Sequence, residues 1–352
     1  MVFCIAEDRA SEEPGIRLLL LSLLAACPDS HVKLFFPAAS DAFVTWMSRF
    51  ASQGRVDLER KRIFHAEGWD VKPDALLTLL DAGHAEVVWL DSDIVVDRDF
   101  RPLLEDPSGE ILVACEEPYW GQHQGGVHRT QSWGLVPGRS LQVTVNTGVM
   151  RVTPHHRDLL TAWKELLRSD AYRHAQQQPL RNRPIHLLSD QEVLTALLGS
   201  ERFCTVKLRQ LRRGADVIQY LGPAGYSPGD RMASVFTGLP PLIHAIGKRP
   251  WWFTRTPSAI HDLRAWYDAL GLELSPFNSV AARFAGQLQV DAQWVRRRTL
   301  VGRLLRLLSG SHPALCGLPL AIVDHFFKAI QALLKLNRFA IAPSPVSQRQ
   351  EV

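Results

Sequence analysis

Asp91 and Asp93 stand two residues apart, directly after the apolar run Val87-Val88-Trp89-Leu90. In extended backbone, residues two apart point the same way. Two like charges at the end of a buried strand repel, and a positive partner is needed beside them. A divalent cation with oxygen ligands is the usual one. Alone the pair says little, because chance supplies roughly one such spacing in a chain of this size. Three further places add to it. His244 ends a second apolar run and offers a nitrogen. Gly247-Lys248-Arg249 follow it, two cations on a glycine turn, either of which could meet a diphosphate. Glu7 and Asp8 end the first apolar run, Val2–Ala6, and could accept hydrogen bonds from a base or a ribose. Carboxylates with one imidazole suit Mn2+ or Mg2+ better than zinc. Together these groups would hold a metal–nucleoside diphosphate, the ion neutralising charge on a departing diphosphate.

The elements that must position these groups alternate. Strands are expected over Val2–Ala6, His31–Pro37, Arg62–Ala66 and Val87–Leu90. Helices are expected over Gly15–Cys27, Asp41–Ser52 and Asp74–Ala82, with Pro73 in a first turn, where proline is tolerated. That alternation implies a parallel α/β sheet, whose ligands bind at the carboxyl ends of strands. A strand over Ile111–Glu117 precedes a stretch, Tyr119–Ser140, that lacks periodicity and reads as a functional or mobile loop. Its His123 and His128 read as solvated rather than ligating, and its Trp120 and Trp133 either stack on a sugar or pack. The strand Gln142–Val152 is interrupted at Asn146-Thr147-Gly148, where the glycine suggests a bulge or a close backbone approach. A helix is expected over His155–Arg168, and Tyr172–Pro184 reads as loop. Ser189 reads as a helix cap with Glu192 completing a capping box, which puts Asp190 and Gln191 at a helix N-terminus.

Across 352 residues, 46% hydrophobic and 22% charged, there is material for a sizeable core. A net charge of +4 does not point to nucleic acid. The five cysteines are scattered and odd in number, which argues against a disulfide framework or zinc site and for a reducing, cytoplasmic setting. Arg17 to Cys27 has the look of a lipoprotein signal, but acids rather than bases precede it, so it reads as a buried helix. No apolar run approaches the ~20 residues of a membrane span. Beyond Pro257 the chain is expected to form helices over Ala259–Leu270, Ala281–Leu308 and Ala321–Leu336, with basic and apolar faces, and then a disordered tail.

Four motifs in order, Val-Val-Trp-Leu-Asp-Ser-Asp-Ile-Val-Val, Asn-Thr-Gly-Val-Met, Ser-Asp-Gln-Glu-Val-Leu and His-Ala-Ile-Gly-Lys-Arg-Pro-Trp, resemble those of GT-A-fold glycosyltransferases. The likeness is greatest to family eight, the retaining, Mn2+-dependent galactosyl- and glucosyltransferases, and covers roughly residues 1–255. It implies a mixed, mostly parallel Rossmann-like sheet over 1–257; the residues beyond read by themselves as a helical extension over 258–342 and a tail over 343–352. It implies a hexosyltransferase that moves sugar from a UDP-sugar to a saccharide, lipid-linked or other hydroxyl acceptor. Asp91, Asp93 and His244 would bind the metal. Glu7 or Asp8 would contact the base, Ser92 would lie beside the nucleotide, and Gly247 with Lys248 or Arg249 would contact the diphosphate. Asn146 would touch the donor sugar, with Asp190 and Gln191 near the anomeric carbon. The chain departs from the pattern in its Gly-to-Pro spacing, in Thr147 where alanine is usual, and in Lys72-Pro73 where an upstream arginine is missing.

Two other readings compete. A phosphatase of the haloacid dehalogenase type also places a D-x-D after a strand, but its motif opens the domain and needs a later acidic pair; Gly229-Asp230 has no second acid nearby. A non-catalytic relative would bind a nucleotide sugar as a sensor. The C-terminal helices are either a cap on the catalytic domain or a peripheral attachment to the inner membrane face through Leu304, Leu305, Leu307, Leu308 and their arginines.

Overall fold

A computed structural model describes residues 1–61, 68–117, 125–253, 257–289, 292–296, 299–327 and 330. The expected strand at 62–66, Trp120 and His123, and the tail from 343 lie outside the described residues.

Strand parity sets the architecture. In β1 (Val2–Ala6), Phe3 and Ile5 enter one apolar cluster while Val2 and Cys4 enter another. The first cluster also takes α1 (Glu13–Ala26), β2 (Val32–Phe35), α2 (Asp41–Ala51) and β3 (Val56–Glu59). The second takes α3 (Val71–Asp81). In β4 (Val87–Leu90), Val88 and Leu90 face the first cluster and Val87 and Trp89 the second. This period of two is what a sheet buried on both faces requires. β5 (Ile94–Val96) leaves the sheet, and the chain returns through β6 (Ile111–Glu117). The stretch expected to be a loop contains α4 (Gly125–Ser132). Next come β7 (Thr144–Val152), α5 (Arg157–Leu167), α6 (Asp170–Gln176), α7 (Asp190–Leu198) and β8 (Lys207–Leu211).

The seven-stranded sheet has the order β3-β2-β1-β4-β7-β6-β8. β7 runs antiparallel to both neighbours and the other pairs are parallel, so the expected mixed, mostly parallel α/β sheet with flanking helices is what the chain forms. The expected bulge is present: the β6–β7 register shifts between Val113 and Cys115, opposite the Asn146-Thr147-Gly148 segment. β9 (Val217–Gln219), α8 (Pro228–Thr237) and β10 (Leu242–His244) follow, and a second, three-stranded sheet has the order β5-β10-β9.

The C-terminal part forms α9 (Leu263–Glu273), α10 (Pro276–Ala281), α11 (Gln293–Arg296), α12 (Leu300–Leu308) and a helical segment at 318–327. The single helix expected over 281–308 is broken. The reason is docking: Trp46 Nε1 and Arg17 donate to the carbonyls of Gln287 and Leu288, at 2.9 and 3.2 Å, which draws that stretch across α1 and α2. Trp294 packs edge-on against Trp251. All five cysteines are free thiols.

Candidate functional site

Asp91 continues the parity of β4, so its carboxylate lies on the side of Trp89, whose indole N–H donates to it at 2.7 Å. Asp93 does not follow as a second extended residue. The chain turns at Ser92-Asp93, with the Ile94 N–H donating to the Asp91 carbonyl at 3.2 Å, because β5 must leave the large sheet to join the small one. The two carboxylates therefore meet across a turn. The small sheet brings His244 to them: β10 is antiparallel to β5 with His244 opposite Ile94, and the Ala245 N–H donates to the Asp93 carbonyl at 3.0 Å. One ligand atom from each of Asp91, Asp93 and His244 falls within 4.8 Å of the others. Among the described residues no other group of three His, Cys, Asp or Glu side chains converges this way.

The imidazole is held in one orientation. Its cross-strand neighbour on β9 is Gln219, whose carboxamide oxygen lies 3.0 Å from Nδ1. If Nδ1–H donates there, Nε2 faces Asp93 at 3.1 Å and Asp91 at 3.8 Å. A neutral Nε2 would aim a lone pair at two acceptors, so the position asks for a proton or a cation. Burial disfavours the imidazolium, but the carboxylate of Asp93 outweighs it and raises the His244 pKa. Burial also opposes ionisation of Asp93, yet His244 and Arg249 hold it down at about 2. These are two hard oxygen donors and one oriented imidazole, a set that fits Mn2+ or Mg2+.

Gly148 is part of this seat. A Cβ there would fall 2.7 Å from His244 Nδ1 and 2.9 Å from Asn146 Oδ1, so the bulge of β7 admits only glycine beside the ring. Gly15 does the same on the other side, where a Cβ would meet the Trp251 ring at 2.6 Å and the Ser92 carbonyl at 2.7 Å. The two tryptophans after Pro250 donate to Glu12, each at 3.2 Å.

The remaining candidates divide. Lys72, in the first turn of α3, is buried and reaches Asp91 at 3.0 Å, Asp190 at 3.3 Å and the Thr147 hydroxyl at 2.9 Å. Burial lowers the Lys72 pKa, but Asp190 and Asp91 more than offset this and carry it to about 12. Thr147 donates its hydroxyl to Asp190 at 2.7 Å. Asn146 donates to Glu117 and to Gln191, both at 3.1 Å, and accepts from the Gly148 N–H at 2.9 Å. Asp190, Gln191, Asn146 and Lys72 thus form one polar group next to Asp91.

Arg249 meets Asp93 at 2.8 Å, whereas Lys248 is half exposed and pairs with Asp268. Gly247 has a positive φ of 90° that suits glycine. Glu7 is occupied locally: Ser92 and Arg9 donate to it at 2.8 and 2.7 Å, which fixes the β1 loop to the Asp91–Asp93 turn. Asp8 is exposed.

The expected capping box at Ser189 is absent. Glu192 is buried against Arg129 on α4 in an ion pair without solvent exposure, and that charge partner displaces the cap bond. This pair also explains why the expected loop is helical at 125–132: α4 is fastened to α7. His128 is exposed there, and Trp133 donates to the His186 carbonyl at 3.1 Å. Sequence reasoning missed Gln219, Glu117 and Glu12, and named Thr147 only as an oddity. Gln219 had a signal in its place at the end of a short apolar run, Val217-Ile218.

No family model matches the chain, and no curated protein matches it. Solved structures do. It is similar to the galactosyltransferase LgtC in complex with donor and acceptor sugar analogues, at 16% identity and TM-score 0.47, covering 82% of this chain and 100% of that one. It is similar to apo WbbM, a bifunctional glycosyltransferase, at 14% identity and TM-score 0.45, over 71% of this chain and 46% of that one. The chain thus spans less than half the length of that WbbM structure. A third is the glycosyltransferase GlyE of Streptococcus pneumoniae, at 16% identity and TM-score 0.43, over 81% and 64% of the two chains. Likeness of this degree leaves the activity to be argued from the site.

Proposed function

We propose that the chain is a metal-dependent glycosyltransferase of the GT-A type, taking a hexose from a UDP-sugar to a hydroxyl acceptor with retention of configuration. The observation that carries this is the convergence of Asp91, Asp93 and an oriented His244 within 4.8 Å at the carboxyl end of β4. These three would hold Mn2+ or Mg2+, which when bound neutralises charge on the departing diphosphate. Arg249, ion-paired with Asp93, is the cation nearest the acids and so better suited to the diphosphate than Lys248, which pairs with Asp268. Asp8 is left as the acid for the base, since Glu7 is occupied by Arg9 and Ser92.

For retention, two routes exist. Asp190 could act as a nucleophile, or the acceptor could attack from the leaving-group side while the diphosphate takes its proton. The second is favoured. The same oxygen of Asp190 receives Thr147 at 2.7 Å and Lys72 at 3.3 Å, and both bonds lower its nucleophilicity. The phosphatase reading loses its remaining acid, because Asp230 closes a capping box with Ser227 on α8.

The test is a thermal-shift screen of nucleotide sugars with and without Mn2+, followed by UDP release from the best donor without acceptor. Metal-dependent stabilisation and slow UDP release are expected. Stabilisation without turnover, even with acceptors, would favour the sensor reading. Phosphate release from a monoester would overturn the proposal.

A further inference from the structure

The outer face of α12 has no covering among the described residues. Leu300, Leu304, Leu307 and Leu308 fall on one helical stripe and are 81%, 57%, 74% and 71% exposed. The helix is nonetheless firmly seated. Gly302 is buried on its inner side against Glu273, and Arg306 donates to the Glu273 carbonyl at 2.7 Å. The following helical segment repeats the arrangement: Phe326 and Phe327 are 63% and 57% exposed, on the same side as Ile322 and Val323. Its inner side is held by Tyr267, which donates to the Leu320 carbonyl at 3.3 Å. Apolar surface on this scale marks an interaction site.

Charge identifies the partner. Between residues 293 and 330 the sequence has six Lys or Arg and one acid; among the described residues Arg296 and Arg303 are exposed, Arg306 is turned inward, and the acid, Asp324, accepts from the Ala224 N–H at 3.1 Å. No helix among the described residues is long and apolar enough to cross a membrane. An apolar stripe with basic flanks on a short helix suits the plane of an anionic lipid surface.

We infer that α12 and the segment at 318–327 dock the protein on an anionic lipid bilayer. The leucines and phenylalanines enter the headgroup–acyl boundary, and the exposed Arg303 and Arg296 meet the phosphates. This goes beyond the glycosyltransferase reading and does not depend on it.

The test is co-sedimentation of the full chain with phosphatidylcholine vesicles, with and without phosphatidylglycerol, in the absence of metal and nucleotide. Binding to the anionic vesicles is expected, weakened by added salt. The triple variant L304Q/L307Q/L308Q should bind about tenfold less or worse, with unchanged thermal unfolding. Phe326→Gln, on the other helix, is an independent probe and should also weaken binding. Equal binding by wild type and both variants would overturn the inference. So would a wild-type dimer that the triple variant dissolves while neither binds vesicles, because a second copy would then cover the face.

Discussion

Replacing Gly148 by alanine tests the seat of the proposed ion from the side opposite its ligands. The added methyl would press into His244, with Nδ1 2.7 Å away and Cε1 nearer still. Ordinary contact begins near 3.4 Å, so the ring or the strand must move by about 1 Å. The ring has little freedom, being held by Gln219 at 3.0 Å and Asp93 at 3.1 Å. β7 is buried along its whole length and cannot back away cheaply. Overpacking of this kind costs about 1–3 kcal/mol of stability. Disturbing the group that orients a ligand costs about 10–100-fold in metal affinity, and a 1 Å misplacement about 100-fold in kcat/KM. Calorimetric titration with Mn2+ and UDP release would measure both. Gly286→Ala is the control, because a Cβ there meets nothing within 4 Å. If Gly148→Ala bound Mn2+ as tightly as wild type and unfolded at the same temperature, the imidazole would be neither crowded nor pre-set.

Three other outcomes are expected. Gln219→Leu removes the acceptor on His244 Nδ1 and should weaken Mn2+ binding about 10–100-fold, with the fold intact by circular dichroism; unchanged affinity would mean the ring needs no orienting partner. Thr147→Val keeps the shape but removes the hydroxyl between Asp190 and Lys72, costing about 1–3 kcal/mol in denaturant unfolding; a neutral effect would show that the pair is satisfied otherwise. His156 accepts the Thr153 N–H at 3.0 Å, and burial pushes its pKa down to about 4. The unfolded chain therefore takes up this proton first. The stability it contributes is present above about pH 6.5 and is lost as pH falls towards 4, by up to about 3 kcal/mol. His156→Asn should flatten that acid limb in urea titrations, and an unaltered limb would assign the acid loss elsewhere.

What the sequence made legible follows from which forces are local. The apolar parity of β1 and β4 is written in consecutive residues, so the strands, the parallel pairs and the site at their carboxyl ends could be read directly. Gly148 could be read because a glycine inside a strand usually marks a bulge or a close approach of another group. The turn at Ser92-Asp93 could not, because it exists to let β5 cross to a second sheet that only Leu242–His244 and Val217–Gln219 complete. α4 was hidden for a similar reason. Its start, Gly125-Gly126, is poor helix material, and what holds it is Arg129 buried on Glu192, 63 residues later. The strand Val56–Glu59 was missed because a four-residue edge strand with one buried position carries almost no pattern.

Asp91 closes a strand of the large sheet, whereas His244 belongs to the small one. An ion shared by the two would rivet separate layers of the molecule together. Loading that rivet and stiffening the fold would be a single event, so the chain's resistance to unfolding would rise with the logarithm of free metal once its dissociation constant is passed.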